Sequence, residues 1–542
     1  MSCKEYEAYP QVPKKYLEIP EKLNMACYAC DRWVEEGRGD SVAIYLEDQK
    51  ITWAELQIAV NQFGNALKKL GVQKGDRFII RLHNTPGYYA IVLGGLKIGA
   101  VPIPTSSLFR AKELEHLINN SGSLAAVSTA KLVGPIEEVK DKCETLKHII
   151  VIGEAKKDQI PFESIMKGAS PELNITETRK DDPAFMLYTS GTTGLPKGIA
   201  HAHRWLIATG DPIAKMLMAL TPNDICFSPQ EISFMYPFGC NFFYPFYCGA
   251  AVVLYPGRFD PEKVFKYIER YKATVFVAVP TIYRRMLAVK EAEKKYNLSS
   301  IKRCISSGET ISPETYGEWK RRFGCEIFDG LGQTEIHIFC CELPGMKVKP
   351  GSMGKPFPEF IVKVLNDKGK ECPPGKTGHV AIREDNPGLF YEYRGMPKRW
   401  AETHRAGWYY TGDLAYVDED GYFWYVSRSD DLIKSRAYLI GPKEVEDVIL
   451  ENPAVLEAAV IGAPDPIMGQ RVKAFVILRP GYEPSKDRAE EIRLHVRNTI
   501  APYKAPKEIE FIEQLPKTAT GKILRRELRR IEKERYRREK VK

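Results

Sequence analysis

The sequence lacks any apolar run long enough to cross a bilayer as a helix. Such a helix needs about 18–20 consecutive apolar residues. The nearest candidate, Tyr88–Pro104, is interrupted by Lys97 and by glycines. The chain also begins MSCKEYEAYPQVPKK, which lacks the apolar core of a secretory signal. We therefore expect a cytoplasmic protein that is neither secreted nor inserted in a membrane.

The cysteines lack the spacing of a disulfide framework or a zinc site. The chain has 12 cysteines, and Cys27-x-x-Cys30 has redox or metal spacing without a second such pair after it. Its segment, LNMACYACDRWVEE, is typical of the start of an amphipathic helix, which favours simple packing. We interpret His201-x-His203 similarly, as a pair at a helix start and not as a metal site. Free thiols fit a reducing cytoplasm.

The positive charge is concentrated at the end of the chain and lacks the features of a nucleic-acid-binding surface. The formal net charge is +9. The final segment, GKILRRELRRIEKERYRREKVK, interleaves Glu527, Glu532 and Glu534 with basic residues, which favours a solvated, charge-laced helix. It carries no aromatic pattern for stacking on bases. We expect no nucleic-acid partner, and attraction to an acidic cofactor stays open.

The order of apolar segments indicates an α/β protein with at least two domains, since 542 residues exceed one ordinary core. In the first two-thirds, helical segments alternate with strand-like ones, as in TWAELQIAVNQFGNALKKLG before DRFIIRL. A β-rich part follows, and a short hinge near Ser427–Asp431 precedes a smaller α/β unit. We predict an N-terminal domain over residues 1–428 and a C-terminal domain over residues 429–542.

A run of glycines and hydroxyl residues at Tyr188–Gly198, YTSGTTGLPKG, predicts a loop that wraps a polyphosphate. Glycines let backbone N–H groups turn toward a ligand, and Lys197 adds a positive charge. The loop is not a Walker loop, because Gly198 and not a hydroxyl residue follows the lysine. The segment GLGQTE at 330–335 lacks the third glycine of a dinucleotide fingerprint. Another nucleotide chemistry is therefore indicated.

Five motifs in this order resemble those of the acyl-adenylate-forming superfamily, which includes the AMP-forming acyl-CoA ligases. YTSGTTGLPKG is similar to its phosphate loop, DGLGQTE to its adenine and magnesium motif, and YTGD at Tyr410–Asp413 to its ribose motif. SRSDDLIKS is similar to its hinge motif and PKTATGK to its C-terminal lysine loop. The resemblance covers nearly the whole chain. It implies a large α/β adenylation domain of several subdomains, with a small mobile α/β lid domain.

The resemblance also implies residue roles in attack of a carboxylate on the α-phosphate of ATP, with loss of pyrophosphate. Thr189 and Glu335 would position Mg²⁺, a hard cation that prefers oxygen ligands. Lys522 would be the catalytic lysine, a mobile charge between carboxylate and α-phosphate. Asp413 would accept the ribose hydroxyls, with Arg428 beside it. The full set implied to bind ATP is Thr189, Ser190, Gly191, Thr192, Thr193, Gly194, Lys197, Gly308, Glu309, Thr310, Asp329, Gly330, Leu331, Gly332, Gln333, Thr334, Asp413, Arg428 and Lys522.

The resemblance places a hinge at Asp430, about which the C-terminal domain would swing between two half-reactions. One orientation would bring Lys522 to the site, and the other would form a tunnel for the pantetheine arm of CoA. The residues implied to bind CoA are Lys434, Ser435, Arg436, Ala437 and Tyr438. Two positions depart from the commoner pattern. Ala437 stands where many relatives have glycine, and Leu439 stands where many have arginine.

The acid-binding region most resembles the benzoate and aryl-acid CoA ligase branch. The residues implied to line its pocket are Phe234, Tyr236, Phe238, Gly239, His337 and Ile338. Core packing is the alternative interpretation of each aromatic residue. Met235 stands where an amino-acid-activating enzyme would carry an aspartate for the substrate amine, and an unpaired ammonium in an aromatic pocket is costly. We therefore expect no amino-acid substrate.

Together these features predict an AMP-forming carboxylic acid–CoA ligase that uses ATP, Mg²⁺ and CoA. We expect an aryl or a small branched or hydroxylated acid, with a short- or medium-chain fatty acid as the alternative. An adenylating enzyme that acylates a carrier protein stays open, as does a catalytically silent nucleotide- or nucleic-acid-binding protein. We expect a monomer or a homodimer.

Overall fold

The computed structural model describes residues 19–189, 196–435, 438–517 and 522–541. In these ranges the larger part of the chain forms four sheets with helices between them, and the final part forms a fifth sheet with its own helices. The α-helices are Arg32–Glu35, Trp53–Lys69, Pro86–Lys97, Ala111–Ser121, Gly134–Glu137, Phe162–Lys167, Trp205–Gly210, Met235–Phe238, Tyr244–Tyr247, Pro261–Tyr271, Pro280–Leu287, Ala292–Lys295, Pro313–Phe323, Pro397–Thr403, Pro442–Leu450, Lys486–Thr499 and Arg525–Val541. Cys27–Asp31, Asp211–Leu217 and Gly239–Phe243 are π-helical, and Lys140–Lys142 and Pro502–Lys504 are 3₁₀-helical.

The sheet that positions the site has nine strands with a parallel centre and antiparallel edges. Its strands, in spatial order, are Lys355–Pro356, His337–Cys341, Ile327–Gln333, Arg303–Ser307, Val275–Ala278, Ile225–Phe227, Ala251–Val253, Val42–Leu46 and Gln49–Thr52. Helices such as Pro261–Tyr271 and Pro313–Phe323 connect the parallel strands. Because the carboxyl ends of parallel strands meet at one edge, the loops that follow them gather there.

Three further sheets complete the larger part of the chain. A parallel sheet has the order Val101–Pro104, Arg77–Arg81, Ala125–Thr129, His148–Ile152 and Ile160–Pro161. An antiparallel sheet has the order Glu392–Tyr393, Lys197–Ala202 and Pro183–Thr189. The last has the order Val362–Leu365, Gly378–Arg383, Trp408–Val417 and His404–Arg405, with Phe423–Arg428 paired to Trp408–Val417. The alternating pattern of the sequence therefore folds as predicted.

The helix Trp53–Lys69 shows how local sequence sets these elements. Thr52 accepts a hydrogen bond from the Glu55 amide at 3.2 Å, and the Glu55 carboxylate accepts one from the Thr52 amide at 2.8 Å. This reciprocal cap satisfies two amides that the first turn leaves open. Leu56, Val60 and the residues that follow at helical spacing are buried. The helix predicted from this segment is confirmed.

The C-terminal sheet has the order Tyr438–Ile440, Ile433–Ser435, Gly469–Leu478 and Val455–Asp465, with Glu508–Phe511 paired to Gly469–Leu478. The preceding strand of the larger part ends at Arg428. The domain boundary at 428/429 stays a prediction, although the change of sheet falls in this interval.

Two details of the sequence interpretation need correction. His201 lies in the strand Lys197–Ala202, and the next helix begins only at Trp205, so the pair does not start a helix. The helix Arg525–Val541 is not simply solvated, because Leu528 and Glu532 are only 2% and 3% exposed. One face packs against the strand Val455–Asp465, since hydrophobic burial there outweighs the charge of the other face.

The described residues bear on two predictions, the one for the Cys27–Cys30 pair and the one for membrane insertion. Burial raises the pKa of Cys27 to about 12, and burial also raises the pKa of Cys30, so neither is a ready thiolate. Within the described ranges, no group of three or more His, Cys, Asp or Glu side chains could hold a metal. None of the helices in those ranges is long and apolar enough to cross a membrane.

Candidate active site

The predicted adenine-binding segments lie side by side because they follow two neighbouring parallel strands. Ser307 pairs with Gly330 in the register of these strands, and its hydroxyl donates to the Gly330 carbonyl at 2.8 Å. The Asp329 carboxylate accepts a hydrogen bond from the Ile311 amide at 2.8 Å. Gly308 has φ +97°, a backbone conformation that residues other than glycine rarely adopt. The segments 308–310 and 329–333 are therefore brought together, as the sequence suggested.

Asp329 itself is buried within this slot. Burial raises the pKa of its carboxyl to about 7, against the opposing effect of the Ile311 amide. Burial therefore favours the protonated form of this carboxyl, next to the position expected for the adenine ring.

The predicted ribose site is a network centred on Asp413. Arg428 Nη1 lies 3.0 Å from Asp413 Oδ1, and Gln333 Nε2 lies 2.5 Å from Asp413 Oδ2. The Tyr409 hydroxyl donates to Gln333 Oε1 at 2.9 Å, which fixes the amide. Asp413 chiefly raises the pKa of Arg428, so the guanidinium stays charged. A carboxylate has about four lone-pair sites, so ribose hydroxyls can share these oxygens with Gln333 and Arg428.

The predicted phosphate and magnesium residues flank the phosphate loop. Thr189 and Lys197 are opposed Cα partners in neighbouring strands. Five of the implied loop residues, Ser190, Gly191, Thr192, Thr193 and Gly194, lie outside the described residues. Burial lowers the pKa of Lys197, and nearby Glu335 opposes this. Lys197 and Glu335 are thus electrostatic neighbours at one end of the loop.

Glu335 is held in place by two aromatic residues of another sheet and the loop before it. The Tyr393 hydroxyl donates to Glu335 Oε1 at 2.8 Å, and the Phe390 amide donates to the Glu335 carbonyl at 2.8 Å. A fixed carboxylate and the Thr189 hydroxyl are oxygen donors. They fit a Mg²⁺ ion that takes its remaining ligands from phosphates and water.

Lys522 reaches this site from the C-terminal part of the chain. A Cβ atom added to Gly308 would lie 3.1 Å from Lys522 Cε, and the amide of Ile523 donates to Glu309 Oε1 at 3.3 Å. Burial of the amine lowers the pKa of Lys522, while the charges of Glu309 and Asp413 raise it. This contact corresponds to the orientation that the resemblance assigns to the adenylation half-reaction, and the role of Lys522 stays a prediction.

The predicted hinge residue lies within the interval 428–433, and the predicted CoA residues that the structure describes follow it in the C-terminal sheet. Asp430 belongs to the turn between two sheets, and Asp431 Oδ1 lies 2.5 Å from Arg529 Nη1. Ser435 and Tyr438 are opposed in a hairpin, while Arg436, Ala437 and the side chain of Leu439 lie outside the described residues. The Tyr438 ring stacks on Tyr503 with centroids 4.0 Å apart. The roles assigned to this hairpin and to Asp430 stay predictions.

The residues predicted to line the acid pocket gather around His337. Its Nε2 lies 3.1 Å from the Met235 carbonyl, and a Cβ atom added to Gly239 would lie 2.3 Å from this nitrogen. The Tyr236 hydroxyl donates to the Ile305 carbonyl at 2.9 Å. Burial lowers the pKa of His337 to about 3, so the ring is neutral. Its φ of +95° is strained for a side-chain-bearing residue, and such strain clusters at ligand sites.

The other residues predicted to line the pocket differ in how deeply they are buried and in what they contact. Phe238 is fully buried, with its ring centroid 5.0 Å from that of Phe185 and 4.9 Å from that of Phe243. Phe234 is half-buried just before the helix Met235–Phe238. Ile338 is buried against Gly330. Phe238 therefore has the environment of a core residue.

The sequence interpretation missed aromatic residues that surround the site. Trp205 and Tyr244 pack on His337, with ring centroids 6.1 and 4.9 Å away. Tyr393 and Tyr409 fix Glu335 and Gln333. Their contacts join segments that are distant along the chain, so the residues could not be paired from local sequence alone.

Comparison with known proteins gives the family. A family model described as AMP-binding enzyme matches residues 30–393, and one described as AMP-binding enzyme C-terminal domain matches residues 444–522. The chain belongs to the AMP-binding enzyme family. Its predicted membership of the acyl-adenylate-forming group and its predicted fold are confirmed.

Relatives of this AMP-binding enzyme match it over nearly their whole length. The mitochondrial acyl-coenzyme A synthetase ACSM3 of Homo sapiens is 36% identical and covers 97% of this chain and 92% of its own. The benzoate–CoA ligase of Thauera aromatica is 35% identical and covers 95% and 97%. The crystal structure of the anthranilate CoA ligase AuaEII with anthranoyl-AMP has a TM-score of 0.91 at 33% identity, covering 96% and 99%.

These relatives are AMP-forming acyl-CoA and aryl-CoA ligases, and the predicted enzyme class is thereby confirmed. The predicted use of ATP, Mg²⁺ and CoA is confirmed as a property of that class. An acid and CoA are accordingly the partners of the AMP-binding enzyme. The assigned site residues, the oligomeric state, the cytoplasmic location and the absence of a nucleic-acid partner stay predictions.

The geometry of the AMP-binding enzyme places the residues predicted to bind ATP next to those predicted to bind the acid. The hairpin formed by Ile327–Gln333 and His337–Cys341 carries Gln333 and His337 as opposed Cα partners. Gln333 faces the ribose network, His337 faces Gly239, and Glu335 lies at the turn between them. Lys522 approaches from the side of Gly308. The arrangement can therefore bring a carboxylate, an α-phosphate and a mobile lysine together.

Proposed function

We propose that this AMP-binding enzyme activates an aromatic or a small branched or hydroxylated carboxylic acid with ATP and transfers the acyl group to CoA. The observation that carries the proposal is the approach of Lys522 to Gly308, beside the Asp413–Gln333–Arg428 network. That convergence joins two parts of the chain more than 90 residues apart. This arrangement supplies a lysine and a nucleotide-binding network, which acyl-AMP formation requires.

In the first half-reaction, the acid carboxylate attacks the α-phosphate, and pyrophosphate leaves. Asp413 and Arg428 orient the ribose, and the segments at 308–310 and 329–333 hold the adenine. The ammonium of Lys522 stabilises the negative charge that develops at the α-phosphate, which is how a fixed charge lowers a barrier. Lys197 faces the phosphates that leave.

A bound Mg²⁺ would neutralise the charge of the phosphates between Thr189 and Glu335. The chain contributes the fixed orientation of the Glu335 carboxylate, which Tyr393 holds at 2.8 Å. In the second half-reaction, the thiol of CoA attacks the acyl carbonyl and AMP leaves. The segment Lys434–Tyr438 would line the approach of the pantetheine arm after the C-terminal domain has turned about Asp430.

The preference for an aromatic acid whose only charge is its carboxylate is supported by the surroundings of His337. The ring is neutral and packs among Trp205, Tyr236 and Tyr244. Met235 offers no charge for a substrate amine. Relatives described as benzoate and anthranilate CoA ligases are 35% and 33% identical over at least 95% of the chain. We therefore place the aryl acids first.

The test is a panel of acids assayed for AMP, pyrophosphate and acyl-CoA with ATP, Mg²⁺ and CoA. Benzoate, anthranilate, a hydroxybenzoate and isobutyrate represent the proposed class, and acetate and hexanoate represent the alternative. The highest kcat/KM should belong to the first group. A clear preference for hexanoate would replace the acid class by fatty acids. Accumulation of acyl-AMP that free CoA never discharges would replace CoA by a carrier protein.

A further inference from the structure

The Lys522 loop is attached to the larger domain through Glu309. The amide of Ile523, directly after the catalytic lysine, donates to Glu309 Oε1 at 3.3 Å. The residues are 214 positions apart and belong to opposite sides of the interval 428–433. Because a backbone amide accompanies every movement of its loop, this bond exists only when the loop is in the site.

Arg284 forms an ion pair with the second carboxylate oxygen of Glu309. Arg284 Nη2 lies 3.8 Å from Glu309 Oε2 and donates to the Thr281 hydroxyl at 3.1 Å. Both charged side chains are mostly shielded, with 10% of Arg284 and 22% of Glu309 exposed. One oxygen of the carboxylate therefore pairs with Arg284 while the other accepts the hydrogen bond from the Ile523 amide.

Arg284 also faces the C-terminal domain at a second place. Burial raises the pKa of Asp447 on the helix Pro442–Leu450, whereas Lys443 and Arg284 lower it. Arg284 lines a gap between the domains with Glu314 of its own domain. The residues on the opposite side of the gap are Leu450, Val455, Leu456 and Arg479. The Arg284–Glu309 pair thus meets the mobile domain at its lysine loop and at this helix.

We propose that Glu309, oriented by Arg284, is a positioning residue that latches the Lys522 loop into the site for acyl-AMP formation and releases it before thioester formation. The inference rests on the proposed function and adds a role to the adenine contact predicted for Glu309. A single hydrogen bond suits this task, because a stronger attachment would trap the first orientation. Hydrogen bonds to charged groups have a moderate net strength. We therefore expect the rate of adenylation to fall roughly 10-fold when the carboxylate of Glu309 is removed.

The first test measures the contact without any catalysis. Hydrogen–deuterium exchange of the full-length protein should show faster exchange at the Ile523 amide in Glu309→Ala than in the unmodified protein. The matched control is Glu293→Ala, which removes a carboxylate that pairs with Arg322 within the larger domain at 2.7 Å. It should leave exchange at Ile523 unchanged. Unchanged exchange in Glu309→Ala would overturn the latch.

The second test separates the two half-reactions. In Glu309→Ala, acid-dependent pyrophosphate release at saturating ATP should fall roughly 10-fold, while acyl-CoA formation from preformed acyl-AMP should be unchanged or faster. Glu309→Gln keeps an oxygen acceptor for the Ile523 amide and should recover part of the loss. If only the KM for ATP rises, or if both half-reactions fall equally, Glu309 is a nucleotide contact and the latch is wrong.

The two tests also separate this inference from the proposed function. If the unmodified protein forms no acyl-AMP with any acid while Glu309→Ala still exposes the Ile523 amide, the proposed function fails and the contact stands. If the unmodified protein is active and exchange at Ile523 does not respond to Glu309→Ala, the latch fails and the proposed function stands.

Discussion

Replacing Gly239 by alanine should disrupt the surroundings of His337 through a steric conflict alone. Gly239 has helical backbone angles, φ −74° and ψ −62°, that alanine adopts without strain. The added Cβ would lie 2.3 Å from His337 Nε2 and 2.7 Å from Tyr244 Cε2. Both distances are far below a normal carbon contact of about 3.5–4.0 Å. Either the imidazole or the backbone must move.

The cost follows from what holds the imidazole. Overpacking of a filled core costs about 1–3 kcal/mol. Moving the ring also breaks the 3.1 Å contact with the Met235 carbonyl, and a hydrogen bond of this kind contributes about 1 kcal/mol. We therefore expect Gly239→Ala to lose about 2–4 kcal/mol of unfolding free energy. If His337 lines the acid pocket as proposed, the KM for the acid should rise while the KM for ATP stays nearly constant.

The assay is urea unfolding followed by tryptophan fluorescence, combined with initial rates of pyrophosphate release. The matched control is Gly317→Ala in the middle of the helix Pro313–Phe323, where an added Cβ meets nothing within 4 Å. Alanine is a better helix former than glycine, so this variant should gain about 0.5–1 kcal/mol. An unchanged unfolding midpoint for Gly239→Ala, or an equal loss for Gly317→Ala, would refute the steric reasoning.

Three further predictions concern the movement of the C-terminal domain. Lys522→Ala should slow acid-dependent pyrophosphate release by roughly 10²–10³-fold and spare thioester formation from preformed acyl-AMP; near-normal pyrophosphate release would show that the lysine has another role. Asp430→Pro should preserve one half-reaction and abolish the other, because proline fixes φ; equal loss of both half-reactions in a folded protein, judged by circular dichroism, would show that Asp430 is not the hinge. Ala437→Leu should obstruct the pantetheine arm, so that acyl-AMP forms at the normal rate but CoA discharges it slowly; normal acyl-CoA formation would exclude a tunnel wall at this position.

The helices and strands were largely determined by local sequence. Thr52 and Glu55 form the reciprocal cap that starts a helix, and the apolar residues after them recur at helical spacing. Such contacts involve neighbours in the chain, so the sequence shows them directly. The same reasoning failed at His201, where pairing with another strand overrode the local pattern. It also failed at Glu532, which lies 3.0 Å from buried Lys473.

The sequence by itself determined the family, the order of the motifs and the residue types of the site, since each motif is a continuous stretch. Only the tertiary structure decided which of these residues meet. It brought Asp413 to Gln333, Lys522 to Gly308 and the Ile523 amide to Glu309. It also surrounded Phe238 with the rings of Phe185 and Phe243, a contact that the sequence does not show. The physical reason is that burial and hydrogen bonding between distant segments depend on how the sheets pack, and no local pattern records that packing.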